Sequence, residues 1–248
     1  MKEHTGKRRV SLLLALVMAI AVLSPISLYM ATATPTATDI TFENNTHDQV
    51  IDKAIRWLEQ SQNTDGSWGT GVAFLETCTV LANINSDQFS NTSFREKGLS
   101  WLNTYTIKNN DELSRLLTIP EMRAMSNIAA LLRAQNADGG WALSGNYMSN
   151  AFDTMLAVQA IIGTSLQQND VLTKAQKFLV SSQNSDGSWG YNSDTSSIYM
   201  TGNIIKLLER LRAATKSTNE SLEISISNGR EYLLSTEDTG NAWGMTKD

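Results

Sequence analysis

The chain has 248 residues, a length typical of one domain or slightly more, and its 41% hydrophobic content is enough for a sizeable core. Its formal net charge is -5 and it has no block of basic residues, which argues against nucleic-acid binding. The single cysteine, Cys78, excludes an internal disulfide, and we expect it to be a small buried apolar residue.

The first 33 residues have the features of a secretory signal peptide. Basic residues within Lys2–Arg9 precede an apolar run over Val10–Leu23, and Ala31–Ala33 has the small-x-small pattern of a cleavage site. This predicts cleavage after Ala33, a linker over residues 34–46 that is rich in Thr, Ala and Asn, and a secreted or cell-surface protein. The alternative is a retained N-terminal anchor, which would be the only expected contact with a membrane.

One phrase recurs along the rest of the chain, which we expect to form one domain over residues 47–248. It reads QNTDGSWG at Gln62–Gly69, QNADGGWA at Gln135–Ala142 and QNSDGSWG at Gln183–Gly190. A weaker copy, TEDTGNAWG, ends at Gly244. Each copy follows an amphipathic pattern and the first three precede a second apolar helix, so the repeating unit is a helical hairpin.

The repeat predicts five outer helices and four inner helices. The gap between Trp68 and Trp141 is longer than the other gaps and is expected to contain two units. Leu99–Leu102 resembles the end of the first outer helix, and a short inner helix is expected near Leu113–Leu117. Pro120 is expected to begin the next helix, because the first helical turn tolerates a missing N–H. The other inner helices are predicted over Phe74–Ile84, Phe152–Ile162 and Tyr199–Leu211.

The recurring phrase contains the residues that a tight turn between helices needs. Asp-Gly allows a positive φ, the Gln side chain can bond to open backbone groups at a helix end, and Trp can pack over the joint between hairpins. Calcium binding by Asn-x-Asp-Gly is an alternative, but the acids that an EF-hand requires are missing, so no metal is expected. The residues assigned to the turn structure are Gln62, Asp65, Gly66, Trp68, Gln135, Asp138, Gly139, Trp141, Gln183, Asp186, Gly187, Trp189 and Trp243.

The phrase Q-x-x-D-G-(S/G)-W-(G/A) between two helices resembles the QW motif of squalene and oxidosqualene cyclases. The same class of repeat occurs in the β subunits of protein prenyltransferases, and the resemblance runs from about His47 to Gly244. It implies an all-α fold, an α/α toroid whose inner helices line a central cavity. Because no inner helix follows the last copy, we expect an incomplete ring, either truncated at the C-terminus or closed by another chain.

The catalytic motifs of these families are absent from the sequence. Squalene-hopene cyclases protonate an alkene with a D-x-D-D motif, whereas the nearest candidates here are lone acids before threonine, Asp153 and Asp194. Protein prenyltransferases hold zinc with Asp, Cys and His, but the only histidines are His4 and His47. Cys78 lies in ETCTV, which also lacks the thioester motif of complement-like domains. No cofactor is therefore expected.

Three residues are candidates for a ligand cavity. Glu76 and Asp153 each follow a copy of the phrase, at the start of an inner helix. They are either cavity acids or, as the sequence favours, first-turn acids stabilised by the helix dipole. Tyr199 lies near the turns together with Tyr147 and Tyr191, and these rings offer an aromatic rim for a sugar or an isoprenoid.

We therefore expect an exported toroid module that binds an apolar ligand, a glycan or a surface protein without catalysis. The alternatives are a terpene-cyclase-like enzyme, a polysaccharide lyase on a similar toroid, or an inactive fragment of one. The absent acid motif, the absent last helix and the export signal argue against a cyclase. The small number of Lys and Arg near the inner helices argues against a lyase. Met125, Met155 and Met200 are expected to fill the core.

Overall fold

The computed structural model describes residues 45–84, 93–145, 147–164, 169–191, 195–216 and 219–237. These parts contain nine α-helices, one short 3₁₀ helix and no strand beyond an isolated bridge between Trp141 and Asn150. The all-α prediction is confirmed. The signal peptide, Asp194 and most of the fourth copy, including Trp243, lie outside the described residues.

The nine described helices follow the predicted alternation of five outer and four inner helices. They are α1 (Asn45–Gln60), α2 (Ala73–Asn83), α3 (Ser93–Thr104), α4 (Asn110–Leu117), α5 (Met125–Arg133), α6 (Ala151–Ile162), α7 (Asn169–Ser181), α8 (Ile198–Thr215) and α9 (Glu220–Ser235).

The segment between α4 and α5 differs from its prediction. Pro120 begins a 3₁₀ helix, Pro120–Met122, and the α-helix α5 begins only at Met125. The reason is that Ala124 is extended, with φ -63° and ψ 138°, so the chain leaves the helical conformation between the two elements.

The chain divides into two compact units, one ending at Thr106 and the other beginning at Ile107. In unit 1, α2 packs against α3, and the apolar side chains of Leu58, Leu81 and Leu102 are buried. Phe74 also stacks on Tyr105, with ring centroids 4.4 Å apart. The inner helix α2 therefore contacts α3 and the segment that follows it.

In unit 2 the inner helices lie side by side, with α6 packed between α4 and α8. The outer helix α7 packs against α6, α8 and α9, while α9 packs against α8 and α5 packs against α4. Because α6 is covered on several sides, nine of its twelve residues are buried. An inner helix that is apolar on most of its surface is the expected result of this position.

The methionine predictions hold for two of three residues. Met155 and Met200 are buried in the core of unit 2. Met125 is 65% exposed, so its assignment to the core is wrong. It is the first residue of α5, and no preceding helical turn lies beneath its side chain. Cys78 is buried in α2, as expected.

None of the described helices combines the length and the apolar character that a membrane span requires.

Candidate functional site

The three described turns share one hydrogen-bond frame around tryptophan. In each turn the indole Nε1 donates at 2.8 Å to the carbonyl of the leucine ten residues earlier, in the preceding outer helix. The backbone N–H of the same tryptophan donates at 2.9 Å to a threonine hydroxyl of the following inner helix. The residues are Leu58, Trp68 and Thr77; Leu131, Trp141 and Thr154; and Leu179, Trp189 and Thr201. Each tryptophan therefore ties the two helices of its hairpin together.

The glutamine of each turn links its hairpin to the next outer helix. Gln62 donates from Nε2 to the carbonyls of Gly66 and Phe94, at 2.8 and 2.7 Å. Gln135 and Gln183 form the same pair of bonds, and their distant acceptors are carbonyls of α7 and α9. An amide nitrogen has two donors, which is the number that this link requires.

The glycine after each aspartate has a positive φ, between +85° and +95°. A Cβ atom on Gly66, Gly139 or Gly187 would lie only 2.5–2.6 Å from a backbone oxygen of the next outer helix. Glycine is therefore needed at this position both for the backbone conformation and for the close approach of the neighbouring helix.

The aspartates accept hydrogen bonds inside the turns. Asp65 accepts from the backbone N–H and the hydroxyl of Ser67, and these bonds lower the pKa of its carboxyl. The hydroxyls of Ser188 and Ser196 lower the pKa of Asp186 in the same way. These carboxylates have a structural role in the turns.

In unit 2, side chains from α4, from the start of α6 and from the turn that precedes α8 lie close together. Arg115 of α4 pairs with Asp111 of the same helix, and its guanidinium carbon lies 5.8 Å from the ring centroid of Phe152 in α6. The Phe152 ring lies 5.3 Å from the ring of Tyr191, which directly follows the third copy of the phrase. We define the acid–aromatic cluster by the residues Asp111, Arg115, Phe152, Asp153, Tyr191 and Tyr199.

Asp153 is the buried acid of this cluster, with 6% of its surface exposed. Its Oδ2 accepts from Asn150 Nδ2 at 2.6 Å, while Asn150 caps α6 by accepting from the Asp153 N–H at 2.8 Å. Burial raises the pKa of Asp153 and the bond from Asn150 opposes that shift, while the neighbouring Asp111 raises the pKa and Arg115 lowers it. Asp153 is thus both a first-turn acid and a buried acid.

The tyrosines provide the accessible part of the cluster. Tyr191 and Tyr199 are each 48% exposed. Burial raises the pKa of Tyr191, and its proximity to Tyr199 raises it further. Tyr147, the third tyrosine near the turns, is 65% exposed. The structure therefore brings two of the three predicted cavity residues, Asp153 and Tyr199, into one cluster.

The remaining cavity candidate, Glu76, belongs to unit 1. Only 3% of its surface is exposed, its Oε2 has no hydrogen-bond partner, and burial raises its pKa. The carboxyl occupies the space beside Gly69, where a Cβ atom would lie 1.0 Å from Oε2. Glu76 is therefore a buried acid held in place by packing rather than by hydrogen bonds to that oxygen.

The structure also shows important residues that sequence reasoning missed. Arg115 and Phe152 were not identified, because no local pattern places them together. The threonines that bind tryptophan were missed as well, although a signal was present. Three of the four inner helices have a threonine near their start, at Thr77, Thr154 and Thr201, and in the first two it directly follows the candidate acid.

Within the described segments, no three His, Cys, Asp or Glu side chains are grouped in a way that could hold a metal ion.

Comparisons with known proteins identify the fold. The family model of the prenyltransferase alpha-alpha toroid domain matches residues 71–247. The type II terpene cyclase MstE from Scytonema is 14% identical with a TM-score of 0.66, and the match covers 94% of this chain and 70% of the cyclase. A protein from Actinoplanes is also 14% identical, with a TM-score of 0.65 and coverage of 94% and 73%.

A third solved structure is much longer than this chain. The ent-copalyl diphosphate synthase from Streptomyces platensis is 17% identical with a TM-score of 0.60, and the match covers 94% of this chain but 45% of the synthase. At such low identities these structures show the fold alone. No curated protein matches the chain by sequence. The toroid fold that the recurring phrase predicts is confirmed.

Proposed function

Because the chain belongs to the prenyltransferase α/α-toroid family, we propose that it is an exported module of this fold that binds a ligand without converting it. The acid–aromatic cluster is the binding site. The observation that carries the proposal is the contact between the rings of Phe152 and Tyr191, together with the half-exposed Tyr199 near Tyr191 and the buried acid Asp153 that follows Phe152. Such a surface suits a ligand with an apolar body and a polar group.

The hydrogen bonds of the acids support binding rather than catalysis. Asp111 is paired with Arg115, and Asp153 accepts a hydrogen bond from Asn150. Protonation of an alkene requires a strong acid, whereas the raised pKa of Asp153 makes it a weak one. The sequence also has Phe152 where a second acid of a D-x-D-D motif would stand before Asp153.

Terpene cyclisation is the second candidate function. Both MstE and the copalyl diphosphate synthase share the fold, and Asp153 lies close enough to Asp111 for their charges to interact. Two interacting carboxyls hold a proton more readily near neutral pH than a single one does. The Asp111–Asp153 pair therefore holds a proton for transfer to a substrate, but no described residue makes Asp153 a strong acid.

Binding is tested by titrating the full chain with N-phenyl-1-naphthylamine, a neutral apolar probe whose fluorescence rises on binding. We expect saturable binding that weakens about tenfold in Tyr199→Ala, because the ring is lost from the site. The matched control is Ile224→Ala, which removes an exposed apolar side chain from α9. Equal affinities in the two variants would contradict binding at the cluster.

Catalysis is tested separately by incubating the same protein with geranylgeraniol and analysing the extract by mass spectrometry. We expect the substrate to be recovered unchanged. A cyclic product that appears with the wild-type protein and disappears with Asp153→Asn would replace the binding proposal by the cyclase candidate.

Export is tested by N-terminal sequencing of the protein recovered from cells and medium. Cleavage after Ala33 gives a protein that begins at Thr34 in the medium or at the cell surface. A membrane-bound protein with an intact N-terminus would support the anchor instead. An intact chain in the cytosol would contradict export.

A further inference from the structure

The charges of the acid–aromatic cluster favour one class of ligand. We propose that the cluster binds an apolar molecule that has a cationic amine or quaternary ammonium group, and that it discriminates against anionic head groups. This inference rests on the proposed function, because it names the ligand class of the same site.

The first argument is the balance of charge. The cluster contains two acids, Asp111 and Asp153, and one base, Arg115. The guanidinium of Arg115 donates to both carboxylate oxygens of Asp111, so its charge is already compensated. Arg115 also favours the ionised form of Asp153, but its single positive charge is then shared between two carboxylates. An anionic ligand would add to this excess of negative charge, whereas a cationic ligand would balance it.

The flanking charges do not change this balance. Lys108 and Glu112 lie next to the cluster on the chain, and the Glu112 carboxylate accepts from the Lys108 backbone N–H at 2.7 Å. Their side chains have opposite charges, so together they add no net charge. The chain as a whole has a formal net charge of -5, which favours the approach of a cation.

The second argument is the aromatic surface. Cations bind over the faces of aromatic rings, because the ring quadrupole places negative charge there. The cluster already contains one such contact, between Arg115 and the ring of Phe152. Tyr191 and Tyr199 keep about half of their surfaces exposed, so their rings are available to a second cation.

An apolar side chain adjoins the acid. The backbone N–H of Leu143 bonds to Asp153, and the Leu143 side chain is 45% exposed. The hydrocarbon part of the ligand can therefore pack beside the group that binds its charge, which explains a preference for an amphiphile over a small free amine.

The helix N-termini are the strongest argument for the opposite preference, since they favour anions. Here each of the three inner helices already has an oxygen at its start: Asn109, Asn150 and Ser197 accept from backbone N–H groups. The first turns of α4 and α6 also contain Asp111, Glu112 and Asp153. The partial positive charge of these helix ends is therefore largely compensated within the protein.

The test compares three ligands with the same eight-carbon chain: octyltrimethylammonium, octanol and octanoate. Each displaces N-phenyl-1-naphthylamine from the full chain at pH 8. We expect octyltrimethylammonium to bind about tenfold more tightly than octanoate, with octanol between them. In Asp153→Asn we expect the ammonium ligand to bind no more tightly than octanol.

The controls separate the two proposals. Ile224→Ala should leave all three affinities unchanged, and Tyr199→Phe should keep the ammonium preference because it keeps the ring. If octanoate or octanol binds as tightly as octyltrimethylammonium in the wild-type chain, the charge preference is wrong while binding at the cluster stands. If neither the dye nor any of the three ligands binds, the proposed function itself fails.

Discussion

Two hairpins of this molecule place an acid at the same position and surround it differently. Glu76 in the first hairpin and Asp153 after the second copy of the phrase each precede a threonine that accepts a hydrogen bond from tryptophan. Both acids are buried, and burial raises the pKa of both. Asn150 donates to Asp153, however, whereas Oε2 of Glu76 has no partner.

The difference comes from residues outside the recurring phrase. The residue before α6 is Asn150, whose side chain caps the helix and reaches the acid. The corresponding residue before α2 is Val72, which has no polar side chain and is 57% exposed. The phrase and its threonine therefore determine that the acid is buried, and the variable loop determines which atoms it contacts.

The largest effect is expected from Gly69→Ala. Gly69 has φ +87°, and a new Cβ atom would lie 1.0 Å from Glu76 Oε2, so the carboxyl must leave its site. We expect the free energy of unfolding to fall by about 2–5 kcal/mol, measured by urea denaturation of the full chain. The second copy of the phrase already has Ala142 at this position.

Repeating Gly69→Ala in a Glu76→Ala background separates the cost of the clash with the carboxyl from the cost of the positive φ. In Glu76→Ala, Gly69→Ala should cost only about 1–2 kcal/mol, because the positive φ is then the main source of strain. Gly71→Ala is the matched control: no atom lies within 4 Å of its Cβ position, and a change below about 0.5 kcal/mol is expected. Equal costs of Gly69→Ala in both backgrounds would show that the carboxyl does not occupy this space.

An intermediate effect is expected at the threonines, which form the part common to both hairpins. Thr77→Val and Thr154→Val each leave a buried tryptophan N–H without its acceptor. Each variant should lose about 1–3 kcal/mol in the free energy of unfolding. Thr104→Val, at an exposed position, should stay within about 0.5 kcal/mol of the wild type. A much smaller loss at one of the two threonines would mean that the two hairpins do not share one frame.

The smallest effect is expected in the pH dependence of thermal stability when Glu76 is replaced. Since burial raises the pKa of Glu76 above its ordinary value of 4.5, the folded state binds the proton more tightly than the unfolded state does. Stability from this group is therefore greatest below pH 4.5 and is lost as the pH rises through the folded-state pKa. Glu76→Gln removes this loss, so the Tm of the variant minus the Tm of the wild type should increase as the pH rises.

The same measurement on Asp153→Asn completes the comparison. Burial raises the pKa of Asp153 too. We therefore expect a pH dependence of the same sign in the difference in Tm, measured by circular dichroism between pH 4 and 8. A difference between wild type and Glu76→Gln that does not vary with pH would show that Glu76 titrates normally.

Much of the fold was predictable because its signals are local. The helical periodicity, the recurring Asp-Gly and the spacing of the tryptophans predicted five outer and four inner helices, and the described residues contain them. The misplaced start of α5 has a local cause as well. Proline at position 120 is compatible with a 3₁₀ helix as well as with an α-helix, and the sequence does not distinguish them.

The candidate site was predictable only in part. Asp153 and Tyr199 were identified from their places near the turns, whereas Arg115 and Phe152 were not. Their contact joins residues that are far apart in the chain, and it depends on the packing of α4 against α6. Residue type and spacing do not specify which faces of two such helices meet.

The sequence by itself determined that this protein is built from helical hairpins with glycine-containing turns, because helix periodicity and turn chemistry are properties of short, continuous stretches of the chain. Only the tertiary structure decided the surroundings of each acid: Asn150, Asp111 and Arg115 beside Asp153, and a packed, partnerless oxygen at Glu76. The physical reason is that burial and electrostatic partners are set by neighbouring helices and loops, whose distances in space cannot be read from their distances in the chain.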